Sequence, residues 1–214
     1  MESLEQKYAQ TLEVSNLSLK QRRVLLSSLK LFSEMGFENT TSSLIAERAG
    51  VSEGTVFSYF KTKEGILDTI LSTFLEQVIP EVIADFSEKK ITVDQETFPF
   101  FLKSIVRDRL FFIQENQMHV KILLGRSFID KNLSIQLGNI IVQSIIEPIS
   151  HVLNQFKEKG LILNWSNERI VRYILALSFS YLIPMMLNDE GTINIDEAVD
   201  EIVECLSSAL MKVK

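Results

Sequence analysis

Between residues 40 and 63 the chain reads TTSSLIAERAGVSEGTVFSYFKTK, with small residues, hydroxyls and one β-branched plug at fixed intervals. Two short helices that cross steeply need a small side chain at their closest approach, and Ala46 supplies it. Four positions later Gly50 takes the positive φ of a sharp turn at least cost. Val51 plugs the corner, Ser52 caps the next helix through its hydroxyl, and Val56 packs back near Ala46. This spacing describes a helix-turn-helix unit. The competing reading is a plain helical hairpin within an all-α bundle. Against it, residues 42–49 and 53–60 are too short and too polar to build much core by themselves.

Covalent chemistry has little to work with. The two His and the single Cys, Cys205, form no nucleophile–base pair at readable spacing, and there is no phosphate loop or metal cluster. No catalytic residue, metal ligand or cofactor is therefore expected. A helical enzyme built on scattered carboxylates is the rival class.

Composition and period say what kind of scaffold holds the 40–63 window. The 214 residues are 46% hydrophobic and 23% charged, enough to bury a core without disulfides or metals. Eight Gly and four Pro are too few for a turn-dense β fold, which leaves long helices. The net charge of −6 excludes a bulk polycation, so any contact with nucleic acid must come from a local patch. The chain opens on acids where a signal peptide is basic. Its longest apolar stretch, residues 173–187, is shorter than the roughly 20 residues of a membrane span and contains Pro184. A cytoplasmic protein with no membrane partner is expected.

Helical periodicity runs nearly throughout. Ser18 and Gln21 stand at capping-box spacing before a helix whose buried stripe is Leu25, Leu29, Phe32 and Met35, ended by a left-handed Gly36. From Lys63 a longer helix carries two apolar stripes, as a connector packed on both sides would, until Pro80 bends or ends it. Residues 87–90 read as a loop. Further helices are expected over 97–115, 117–129, 133–159 with a kink at Pro148, 167–187 and 196–213, about nine in all. Residues 1–17 read as a frayed helix or a disordered arm.

The string Thr40-Thr41, Ile45-Ala46, Ala49-Gly50-Val51-Ser52, Gly54-Thr55, Tyr59-Phe60 and Lys63 resembles the TetR family of bacterial transcriptional regulators. That family places a three-helix DNA-binding head at the N-terminus, and the likeness spans about residues 18–70. It implies an all-α chain in which residues 15–65 form a helix-turn-helix DNA-binding domain and residues 66–214 a helical effector-binding and dimerisation domain. The second helix of the motif would enter the major groove of double-stranded DNA by its N-terminal end. Gly54 would let the backbone approach, Thr55 would read a thymine methyl or a base edge, and Phe57 and Ser58 would lie on the exposed side. Thr41, Ser42, Ser43, Ser52, Tyr59, Lys61 and Lys63 complete the expected DNA-binding set, several of them at helix starts that favour a phosphate. Seven basic and five acidic residues between positions 15 and 65 give that window +2 against −6 for the chain. The motif's second helix holds no Arg or Lys, which argues against Arg–guanine readout from it. Two departures from the family pattern are Phe57, where tyrosine is usual, and Ser58, at a position often aromatic or basic.

Residues 167–187 are apolar on almost every face and, with the last helix, would form either a twofold four-helix bundle or simply a large core. The resemblance implies a homodimer, here assigned to Ile174, Phe179, Tyr181, Ile202, Leu206 and Leu210, and so a palindromic operator. Phe101, Ile105, Phe112, His119, Leu123 and Arg126 are the candidates for a cavity suited to an unidentified, partly hydrophobic small-molecule effector. A ligand-released repressor is the expected function. The alternative is a DNA-binding regulator or activator controlled by a protein partner.

Overall fold

A computed structural model describes residues 3–90, 97–187 and 193–212, and every extended element among them is helical. Two compact units divide the chain: Met1–Glu81 with Met118–Asp130, and Val82–Gln117 with Lys131–Lys214.

The first unit begins with α1 (Leu4–Glu13), where a frayed or disordered arm was expected. A reciprocal capping box between Ser3 and Gln6 starts it, and Leu4, Tyr8 and Leu12 form one buried stripe. Its ring partner is Phe74, stacked on Tyr8 at 4.9 Å between centroids. Lys7 is also buried, and its ammonium pairs with Glu81 at 2.7 Å. Ten residues of polar helix are marginal alone in water, so it is this docking that orders α1.

The head consists of α2 (Leu19–Met35), α3 (Ser42–Ala49) and α4 (Glu53–Phe60). Ser18 and Gln21 form the expected capping box. Gly36 ends α2 with positive φ but extended ψ (82°, 159°), outside the left-handed helical well. α5 (Lys63–Thr73) then buries both of its stripes, and residues 63–73 pack against α2 and α4. The expected division at 65/66 falls inside this helix.

Pro80 and Pro148 act alike. Each follows a π-helical turn, Phe74–Val78 and Val142–Ile146, in which N–H groups bond five residues back, as Ile79 does to Phe74 and Glu147 to Val142. A proline lacks its own donor and presses on the carbonyl four residues earlier. The wider turn relieves that crowding, so the helix continues. α6 (Ile79–Lys90) runs through the stretch expected to be a loop, and the expected 133–159 helix becomes α9 (Lys131–Ile141), the π-turn and α10 (Glu147–Glu158).

α8 (Gln117–Ser127) belongs to the first unit. Its His119 lies 6.2 Å from the Phe74 ring, with Nε2 buried and no hydrogen-bond partner. Burial lowers its pKa from the ordinary 6.5, a shift that the Glu5 carboxylate partly opposes. The folded state therefore binds this proton less well than the unfolded chain. Stability is complete above about pH 6.5 and declines as pH falls through it. Between about pH 7.5 and 5 the thermal midpoint of the wild type should fall more than that of His119→Leu, and equal slopes would clear His119 as the cause.

The second unit is built around α7 (Phe98–Glu115), whose Thr97 cap and first-turn Pro99 start it as expected. Phe98 and Phe101 flank the Phe156 ring of α10, at 5.5 and 5.9 Å. α11 (Asn167–Leu187) and α12 (Ile195–Leu210) close the core with Ile170, Ile174, Val199 and Ile202. Lys103 pairs with Asp200 at 2.7 Å and Arg107 with Asp196 on the same side of α7. Among the described residues no helix is long and apolar enough to cross a membrane.

Candidate nucleic-acid interface

The starts of α3, α4 and α5 each carry a hydroxyl cap. Thr41 Oγ1 accepts from the Leu44 N–H at 3.2 Å, Ser52 Oγ from Thr55 at 3.2 Å and Thr62 Oγ1 from Gly65 at 3.0 Å. Gly50 adopts φ 63° and ψ 43°, and its N–H and that of Val51 close the end of α3 on Glu47 and Ala46. Arg23 Nη2 donates to the Gly50 carbonyl at 2.9 Å and so clamps the turn from α2. Ala46 and Val56 are both buried at the crossing, the geometry that their spacing predicts.

With Val56 and Phe60 anchored inside, α4 presents Glu53, Gly54, Phe57, Ser58 and Tyr59 to solvent. Thr41 and Ser43 are exposed at the start of α3, and Ser42 is half-buried. Thr55 is half-buried, and its hydroxyl lies 2.8 Å from that of Ser52, so the cap and the base-reading candidate share one hydrogen bond. The exposed face carries hydroxyls, two aromatic rings and open backbone but no cation.

The head's cations are largely committed to its own fold. Arg48 forms a forked pair with Glu34 at 2.5 and 3.0 Å, which lowers the pKa of that carboxyl. Arg22 donates to the Glu13 carbonyl at 3.0 Å. Lys63 is half-buried: Nζ donates to the Phe37 carbonyl at 2.8 Å and sits 4.3 Å from the centre of the Phe37 ring. Lys61 is exposed and its Nζ reaches the Ser58 carbonyl at 3.5 Å. Lys20 and Lys30 are exposed on α2. The count of seven bases thus overstates the charge offered to phosphates. Arg23 and Arg48 do structural work that spacing alone did not reveal.

The expected effector residues separate. Phe101 and Ile105 are packed into the second unit's core, where they fill space rather than line it. Phe112 is half-buried, with the Arg109 guanidinium 5.1 Å from its ring and 3.8 Å from that of Phe86. His119, Leu123 and Arg126 stand in the first unit, Arg126 reaching Asp68 at 3.5 Å. Arg109, which sequence reasoning passed over, is a largely buried cation paired with Asp108 at 2.5 Å. Desolvation lowers its pKa despite that partner.

The expected dimer residues also divide. Ile174, Ile202, Leu206 and Leu210 are enclosed in the chain's own core. Phe179 is 42% exposed, and Tyr181 is half-buried with its hydroxyl donating to Glu201, which holds the phenol up to about 12. Along α11, Tyr173, Ala176, Phe179 and Ile183 make one exposed stripe. It continues into Trp165, over whose ring the Arg169 guanidinium sits at 3.5 Å. The outward face of α12 is acidic, with Glu197, Asp200, Glu201 and Glu204 exposed.

Residues 24–70 match the family described as bacterial regulatory proteins, tetR family. An uncharacterized HTH-type transcriptional regulator of Bacillus subtilis (strain 168), YhgD, is 26% identical over 145 residues, or 65% of this chain and 66% of that protein. The chain thus spans just under two thirds of that relative. The fatty acid metabolism regulator protein of the same strain is 20% identical over 192 residues, covering 89% of this chain and 95% of its own. Among solved structures, a TetR transcription regulator from Haloarcula marismortui ATCC 43049 superposes with a TM-score of 0.65 at 18% identity, covering 90% of this chain and 98% of that one.

Proposed function

We infer that this TetR-family transcriptional regulator binds a palindromic operator as a homodimer, and represses until a small, partly hydrophobic effector releases it. In this reading the chain works in the cytoplasm, with residues 15–65 serving DNA and residues 66–214 serving the effector and the dimer. The observation that carries it is the exposed face of α4. Gly54, Phe57, Ser58 and Tyr59 stand together outside a buried Val56–Phe60 anchor, next to three hydroxyl-capped helix starts. A helix held by its inner face and bare on its outer one suits the major groove. Polar backbone and hydroxyls at helix N-termini suit phosphates.

A dimer supplies the affinity that one nearly cation-free face lacks. Two linked heads on adjacent half-sites gain on the order of 10²–10⁴ from effective concentration. The exposed stripe of α11, rich in aromatic side chains and flanked by Arg169, supports that helix as the interface. Ser208 and Ala209 of α12 are small and exposed and leave room for a partner helix. Release by an effector would be a population shift toward a dimer whose heads no longer match two grooves, passed through α5, its π-turn and α6. The name of the fatty acid metabolism regulator among the relatives makes acyl compounds the first class to screen by thermal shift.

Selection of the purified protein against a random-sequence duplex pool tests the reading. An enriched palindrome supports it, and a folded dimer that enriches nothing overturns it. With an operator available, Lys61→Ala, which removes an ammonium exposed at the end of α4, should reduce the slope of log K against log salt by about 1 per head and weaken all duplexes alike. Thr55→Ala should instead change sequence preference. Identical behaviour of the two variants on a panel of duplexes would refute this division between positioning and reading.

A further inference from the structure

Among the described residues Lys61 is the one non-glycine with positive φ, at 65°, and its ψ is −52°. The Thr62 N–H donates to the Phe60 carbonyl at 2.8 Å. Residues 60–62 therefore form a γ-turn of the rare, strained hand, a conformation in which a β-carbon is costly and glycine is not. Lysine's ammonium gives no reason for it, because a long flexible stem reaches solvent from ordinary backbone as well.

The turn occupies the whole joint between two helices. Phe60 is the last residue of α4, and Thr62 is the cap of α5. From the other side the first turn of α5 closes on the same carbonyl: a Cβ on Gly65 would stand 2.2 Å from Phe60 O. Thr62 fastens that turn twice, by its hydroxyl to the Gly65 N–H at 3.0 Å and by its carbonyl to the Ile66 N–H at 3.2 Å. The Phe60 carbonyl is thus bonded from one side and crowded from the other, which leaves the joint no slack. Strained backbone persists where its surroundings over-determine it, and such places cluster at sites whose function depends on the fixed geometry.

We propose that the Lys61 γ-turn is a rigid joint that sets the pitch of α4 against α5, and that Lys61 serves sequence-selective DNA binding through its backbone conformation as a positioning residue. This rests on the reading of α4 as the helix that enters the groove. The base-reading candidates Gly54 and Thr55 lie at the opposite end of the helix, about 9–10 Å from the joint at 1.5 Å per residue. A small rocking at the joint is therefore largest where the bases are met, while Val56 and Phe60 keep the helix seated.

Two variants separate backbone from charge. Lys61→Ala and Lys61→Gly both remove the ammonium, but only the glycine relieves the turn. In the full-length protein, Lys61→Gly should melt about 2–4 °C above Lys61→Ala despite glycine's looser unfolded chain. Its ratio of affinities for the selected operator and a scrambled duplex should fall about tenfold, the cost of one misplaced base contact. Lys61→Ala should lose affinity for both duplexes alike and keep the wild-type ratio. Equal midpoints would overturn the stored strain. A raised midpoint with an unchanged ratio would overturn the positioning role. A wild-type protein that prefers no sequence at all would overturn the DNA reading itself, and the joint's role with it.

Discussion

Phe179→Glu should leave the fold intact, convert the dimer to a monomer and lower operator affinity by about 10²–10⁴, the effective-concentration gain of two linked heads. The side chain is 42% exposed in the isolated chain, so its replacement opens no internal cavity. It lies at the middle of the stripe formed by Tyr173, Ala176 and Ile183. A twofold interface brings the same patch of both subunits together, so one substitution introduces two carboxylates. Each loses hydration on association, and α12 beside it is already acidic. Sedimentation or light scattering reads the mass, and titration of operator DNA reads the affinity. A variant that stays dimeric with wild-type affinity would remove α11 from the interface. A variant that is monomeric yet binds as tightly would remove dimerisation from the mechanism.

The second large effect is expected at Tyr8. Tyr8→Ala removes a fully buried ring stacked on Phe74, a class of truncation that costs about 3–5 kcal/mol in a well-packed core. α1 has no independent stability, so the loss is limited by the docking energy of the helix as a whole. The helix should come off rather than unfold the head with it. Amides of residues 4–13 should then exchange at nearly unprotected rates, and the midpoint should fall by roughly 5–10 °C. Slow exchange over α1 in the variant would mean that Leu4, Leu12 and the Lys7–Glu81 pair hold it without the ring. The same experiment reports on the Phe74–Val78 turn, since Phe74 loses its stacking partner when α1 departs.

How far sequence reached depended on whether the governing interactions were local. Ala46, Gly50, Ser52 and Val56 specify the turn and the crossing of α3 and α4 because the relevant contacts lie within a dozen residues. Caps at Ser18, Thr97 and Asn194 are likewise set by a hydroxyl or amide and an N–H three positions on. The two stripes of α5 were legible for the same reason, being a matter of period within a single helix. α1 was also written in the sequence, in the Leu4–Tyr8–Leu12 spacing and the Ser3–Gln6 box. Its polarity masked it, since nothing local says that Phe74 waits for the ring of Tyr8.

The remaining assignments turned on which of two apolar faces a helix gives to its own chain. α11 and α12 each carry apolar residues enough for a core and a partner. Pattern could not rank Ile174 against Phe179, because hydrophobic burial has no direction and rewards either face equally. Only packing around α7 decided it, enclosing Ile174, Ile202, Leu206 and Leu210 and leaving Phe179 outside. The prolines show the same division. Sequence locates Pro80 and Pro148 as places where the helix ladder fails, but whether the chain ends, kinks or widens depends on what lies across from it. Charge followed suit: residue types determined a head of net +2, while tertiary contacts committed Arg23, Arg48 and Lys63 to carbonyls and a carboxylate. Neighbours along the chain enforce the helices of the head, their caps and the helix-turn-helix corner. Which side chains stay exposed on α4 and α11 is settled instead by packing partners tens of residues away.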